Sequence, residues 1–256
     1  MLMVKKRTKK TSSETGHSGA GRLLTQNAPF AVKEAYVKLR TNLMFCMTAN
    51  GDRPCKVFAV TSAGPSEGKS TTAANVAVSC AMLGKKTLLI DADLRKPAQR
   101  RIWKVKRSTG LCDFLAKIHP LHFIKVEELP LWIVCAGTIP PNPSEILSSE
   151  RMVTFVEKCS DYYDYLIIDT PPINTVADAQ IISSYVDGVA VVARSGVTTA
   201  DELQEAIETV KSAGGNFCGV IMNDLDLKSS KYGYRQGYYR YSYKYKYGYS
   251  DTYGSK

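Results

Sequence analysis

Short, uniformly apolar runs alternate along this sequence with stretches whose apolar residues recur every third or fourth position. CKVFAVTS (55–62) reads as a buried strand, and KTLLIDAD (86–93), LWIVCAG (131–137), YDYLIIDT (163–170), DGVAVVAR (187–194) and FCGVIMN (217–223) read as further strands. None shows the in–out alternation of a sheet with one wet face. STTAANVAVSCAMLG (70–84) reads as a helix stopped by Gly84. PSEILSSERMVTFVEKCS is helical with a break at its paired serines. TTADELQEAIETVKSAGG opens on a capping box, Thr199 with Glu202, and ends at Gly214 or Gly215. Earlier, AVKEAYVKLRTNLMFCM (31–47) places Val32, Ala35, Tyr36, Leu39, Leu43 and Met47 at helical spacing. Lys33, Lys38, Arg40 and Asn42 fall mostly on the other side, and GDRP (51–54) breaks the helix. Strands that are wet on neither face, alternating with helices, predict an α/β fold: a mostly parallel sheet with helices on both faces.

The two ends do not share this pattern. Residues 1–29 are polar and basic and read as a flexible segment; residues 30–227 read as one domain. Residues 228–256 read as a disordered tail, since no Val, Ile, Leu, Phe or Trp follows Leu227. Ten of the fifteen tyrosines lie in that tail. Charge divides the same way. Of the net +10, residues 1–10 carry +5 and residues 228–256 carry +6, so residues 11–227 carry −1. Basic ends suit an anionic partner such as nucleic acid, a membrane surface or phosphate, or they simply solvate the chain. No apolar run is long enough to span a bilayer, and no apolar stretch follows the basic start as in a signal peptide. The seven cysteines form no C-x-x-C pair, which predicts a reduced cytosolic protein with cysteines as core filler.

Chemistry enters at AGPSEGKS (63–70), between a predicted strand and a predicted helix. It fits the phosphate-binding loop G-x-x-x-x-G-K-S, with Ala63 in place of the first glycine. Backbone N–H groups of such a loop curl around an anion, and the helix N-terminus adds partial positive charge. Gly64, Glu67, Gly68, Lys69, Ser70 and Thr71 are the nucleotide-binding candidates here, with Lys69 on the β- and γ-phosphates and Ser70 on Mg²⁺. Asp91, Asp93 and Asp169 stand at the ends of two predicted strands, where open parallel sheets bind ligands. Oxygen ligands of this kind suit a hard cation that completes its shell with phosphate and water. Asn223 ends the last strand and is a candidate for adenine recognition. Arg194 ends another and either binds phosphate or makes a surface ion pair.

The succession of this loop, LLIDADLRKP, PPNPSEIL and LIIDTPP, closed by a tyrosine-rich tail, resembles the bacterial tyrosine kinases, most closely the cytosolic type of Gram-positive capsule and exopolysaccharide operons. The resemblance covers roughly residues 30–256. It implies an ATP- and Mg²⁺-dependent protein-tyrosine kinase that regulates polysaccharide synthesis by phosphorylating itself, mainly between subunits. The implied target tyrosines are Tyr232, Tyr234, Tyr238, Tyr239, Tyr241, Tyr243, Tyr245, Tyr247, Tyr249 and Tyr253. Lys69 would stabilise charge on the transferred group, Asp91 would accept the tyrosine proton, and Asp93 and Asp169 would hold Mg²⁺. It also implies a ring-like homo-oligomer loosened by phosphorylation, a membrane-anchored activator that recruits the chain from the cytoplasm to the inner face of the plasma membrane, a cognate tyrosine phosphatase, and other protein substrates.

One motif departs from the family. Its assembly helix reads E-x-x-R-x-x-R, whereas EAYVKLR keeps Glu34 and Arg40 but puts Val37 at the first arginine. Glu34 and Arg40 are therefore assigned to oligomerisation, against a reading as a solvated helix face. Two other functions remain open on the residues. A MinD- or ParA-like ATPase switch would use the same loop, although Gly64 stands where those proteins carry a signature lysine. A nucleic-acid-binding protein would use the tail, in which Arg and Lys interleave with tyrosine. Tyrosines at period two would also suit a sticky structural strand, which the tail's lysines and glycines oppose.

Overall fold

The computed structural model describes residues 23–25, 27–48, 56–106 and 109–225. The basic start and all ten tail tyrosines lie outside the described residues. Among the described residues, seven strands form one sheet in the order β3-β4-β2-β5-β1-β6-β7. These are β1 (Lys56–Ser62), β2 (Thr87–Asp91), β3 (Ile124–Lys125), β4 (Leu131–Val134), β5 (Tyr165–Asp169), β6 (Gly188–Arg194) and β7 (Phe217–Asn223). Every pairing is parallel except the short β3–β4 ladder. The predicted mostly parallel sheet is thus present.

Each central strand is apolar on both sides because helices cover both. Val57 and Ala59 of β1 pack into one core, and Phe58 and Val60 into the other. Leu166 and Ile168 of β5 separate from Ile167 in the same way. One core lies under α1 (Phe30–Thr48) and α2 (Lys69–Ala81). The other lies under α4 (Leu111–Leu115), α5 (Pro143–Leu147), α6 (Glu150–Ser160), α7 (Asp178–Ser183) and α8 (Ala200–Ser212). The paired serines do mark a boundary: Ser149 caps α6, its hydroxyl accepting from the Met152 amide. The capping box of α8 forms as expected, with Glu202 Oε2 accepting from the Thr199 amide at 2.8 Å. The short elements β3, α3 (Gln99–Ile102), α4 and α7 are too brief to show a period and were not expected.

The buried face of α1 differs from the stripe expected. Leu43 and Arg40 are buried and Tyr36 and Leu39 partly so, whereas Val32 and Ala35 face solvent. Arg40 turns inward onto α2: its Nη1 donates to the Ser79 carbonyl at 2.6 Å and reaches Ser79 Oγ at 3.2 Å, while its Nε is buried without a partner. A charged side chain enters a core when its donors find acceptors there.

Candidate active site

The register of the sheet assembles the site. β5 lies between β1 and β2, and Asp169 stands level with Asp91 on one side and with Val60 on the other. The loop leaving β1 therefore opens beside Asp169, with Asp91 one strand further on. Ser66 (φ 64°) and Gly68 (φ 93°) take the left-handed conformation that curls this loop. The φ of Gly68 favours glycine, and a Cβ there would also lie 2.1 Å from Asn223 Nδ2 and displace that side chain. Asn223 grips the loop from behind: its Nδ2 donates to the Glu67 carbonyl at 2.9 Å. The Glu67 carboxylate is buried and turned to the Thr198 hydroxyl. Of the loop candidates, Gly64 is half-buried, Ser70 and Thr71 stand in the first turn of α2, and Lys69 begins it.

Lys69 is the hub. Its ammonium lies 2.8 Å from Asp93 Oδ2, 3.3 Å from Asp169 Oδ1 and 3.2 Å from Ser70 Oγ. Burial alone would depress the Lys69 pKa, but Asp169 and Asp93, with Asp91 behind them, outweigh it and raise it. Asp91 and Asp169 are fully buried and Asp93 nearly so. Burial, reinforced by Asp169, holds the Asp91 carboxyl well above the usual carboxylate range. Burial likewise raises Asp169, against the pull of Lys69, Gln99 and Ser70. Asp91 Oδ2 accepts from the Gln99 amide at 2.9 Å, while its Oδ1 is buried without a partner.

This donor set fits a hard cation beside a phosphate. Two carboxylates and one hydroxyl meet a single ammonium, with Asp91 behind them, and one oxygen of Asp91 still lacks a partner. Among the described residues no three such side chains are arranged to hold a metal by themselves.

Other sequence candidates fall elsewhere. Arg194 makes an ion pair with Asp224, Nη2 to Oδ2 at 2.8 Å. Arg40, assigned to assembly, spends its guanidinium on α2, and Glu34 is half-buried on α1. Sequence reading missed Gln99, whose Nε2 bridges the Ser70 carbonyl (2.9 Å) and Asp169 Oδ2 (2.8 Å). Trp103 Nε1 orients it by donating to Oε1. A lone glutamine in a polar stretch carries no spacing signal; its position four residues before an indole is visible only as a helical neighbour.

Among the described residues no helix is long and apolar enough to cross a membrane. The ParA family, described as NUBPL iron-transfer P-loop NTPase, matches residues 55–244. The chain is 43% identical over 204 residues to the tyrosine-protein kinase YwqD of Bacillus subtilis, covering 78% of this chain and 85% of that one. It superposes on the kinase domain of the Escherichia coli tyrosine kinase ETK with a TM-score of 0.73 at 32% identity, over 82% and 85% of the two chains. It superposes on the chimerical protein CapA2B2 with a TM-score of 0.72 at 34% identity, over 78% and 86%.

Proposed function

Since the chain belongs to the bacterial tyrosine kinases, a family built on the ParA-type P-loop fold, we propose that it is an ATP- and Mg²⁺-dependent protein-tyrosine kinase whose main substrate is its own tyrosine-rich C-terminal tail. Transfer runs mainly between subunits and regulates capsular or exopolysaccharide synthesis. The observation that carries the reading is the meeting of Lys69, Asp91, Asp93 and Asp169 on one sheet edge under the phosphate loop.

In the described state Lys69 pairs with the carboxylates that would hold Mg²⁺, namely Asp93 and Asp169, with the Ser70 hydroxyl beside them. Mg²⁺ held there would supply charge neutralisation for phosphoryl transfer. Lys69 then swings from the carboxylates to the transferred group, whose charge it stabilises. Asp91 is fully buried, with Oδ2 held by the Gln99 amide and Oδ1 left unpartnered as the candidate acceptor. A carboxylate made more basic by burial takes the tyrosine proton as the tyrosine oxygen–phosphorus bond forms and the bond to the ADP oxygen breaks. Gly64, Glu67, Gly68 and Thr71 complete the nucleotide cradle, and Asn223 braces it.

A membrane-anchored activator brings the chain to the inner face of the plasma membrane, and a tyrosine phosphatase reverses the modification. The superposition on the CapA2B2 chimera supports a second chain of that kind. Because Arg40 is engaged inside the subunit, Glu34 and the exposed Val37 are the positions of the assembly motif that remain for a ring contact.

The test is purified full-length chain with ATP and Mg²⁺, with and without the activator's cytosolic segment, read by mass spectrometry of the tail. Phosphate should appear on tail tyrosines, and Lys69→Met should lower it at least about 100-fold. ATP turnover with no protein-bound phosphate, equal in wild type and variant, would replace the kinase with an ATPase switch.

A further inference from the structure

The segment leaving β2 carries two of the three site carboxylates, and those carboxylates also hold its backbone. Asp93 Oδ1 accepts from the Lys96 amide at 2.9 Å, and Asp91 Oδ2 accepts from the Gln99 amide. A loop held only by its own functional groups would shift whenever they engage a ligand. Arg95, between them, supplies an anchor that uses neither. Its Nε donates to Asp178 Oδ2 at 2.8 Å and its Nη2 to Asp178 Oδ1 at 3.0 Å. Ser144, in the first turn of α5, closes the triangle: its hydroxyl donates to Asp178 Oδ1 at 2.6 Å and accepts from Arg95 Nη2 at 3.1 Å. Asp178 opens α7 and is fully buried. A buried carboxylate needs its partners, and a planar guanidinium meets it through two parallel bonds.

We propose that Arg95, Asp178 and Ser144 form a clamp that ties the Asp91–Asp93 loop to the α5–α7 layer and so fixes where the two carboxylates stand. Arg95 is a positioning residue: it reaches the reacting edge through Asp93 and Asp91 rather than by touching it. This gives work to the arginine of LRKP and the serine of PPNPSEIL, which the nucleotide chemistry leaves without any. The proposal rests on reading the site as a Mg²⁺–nucleotide site.

Arg95→Lys keeps the charge and loses the fork, and Asp178→Asn keeps the shape and loses the charge. In the ligand-free protein, hydrogen exchange at the Lys96 and Gln99 amides should quicken about 10-fold in both variants, while the Ile90 amide in β2 stays protected. With a fluorescent ADP as probe, the Mg²⁺ concentration at half-maximal effect should rise about 10-fold, the usual cost of losing a residue that orients metal ligands. Nucleotide binding without Mg²⁺ should stay at the wild-type value, because the phosphate loop is untouched. Ser144→Ala should move the same readings in the same direction by less. If Asp178→Asn fails to fold, Arg95→Lys and Ser144→Ala decide the matter. Wild-type amide protection and an unchanged Mg²⁺ midpoint in Arg95→Lys would overturn the clamp. A wild-type protein that binds nucleotide in a Mg²⁺-dependent way but never makes phosphotyrosine would sink the kinase reading and leave the clamp standing.

Discussion

Asp91 stands fully buried with one oxygen unpartnered, and burial together with Asp169 lifts its carboxyl well above the ordinary range. That helps a proton acceptor and harms the fold. The unfolded residue ionises near pH 4, whereas the folded one holds its proton to higher pH. Between those two values the unfolded chain has released a proton that the native state keeps, so this group's contribution to stability falls as pH rises through the window. Asp91→Asn should therefore be more stable than wild type at neutral pH. Its Tm advantage should shrink toward pH 4, each kcal/mol being about 2–4 °C in a chain of this size. Phosphotyrosine formation should fall about 100-fold in the same variant. Calorimetry across pH checks the first part; an advantage that does not change with pH would contradict it. The aspartates and Lys69 were legible because motif spacing and strand ends mark them. Gln99, which bridges two of them, was not, because a side-chain amide gains its role only from what surrounds it.

At the scale of elements, strands and long helices followed from local pattern, and the facing of α1 did not. Periodicity sets Arg40 apart from the apolar stripe, yet it is buried, and two positions counted as apolar are exposed. The cause lies on another helix, where Ser79 offers its carbonyl and hydroxyl to the guanidinium and Asn75 reaches the Tyr36 hydroxyl. Arg40→Ala should cost about 2 kcal/mol, the usual worth of hydrogen bonds to a charged group. Denaturant titration measures it. Hydrogen exchange should show α1 loosening before the sheet does, since α1 meets the body mainly through α2 and β7. A loss spread evenly over the whole domain would contradict this placement of Arg40.

For the whole molecule, charge is the quantity that the tail can change. Residues 228–256 carry +6 against a body near neutrality. Each phosphotyrosine adds about −1.5 to −2, so three or four neutralise the tail and all ten take it to roughly −9 to −14. Assembly should therefore loosen in steps with phosphate number. Size-exclusion chromatography with light scattering on chains of rising Tyr→Phe count should show graded change; loss of control from one substitution as complete as from ten would defeat the counting model. The sequence by itself determined the alternation of apolar strands and helices, the phosphate loop, the strand-end aspartates and the charged ends. These are local facts, fixed by periodicity, composition and spacing along the chain. Only the tertiary structure decided that β5 inserts between β1 and β2, bringing Asp169 level with Asp91. Only it turned Arg40 inward, and only it joined Arg95 to a buried aspartate 83 positions away. Strand order and buried polar partners depend on how distant segments share one core, and no short stretch of sequence contains that information.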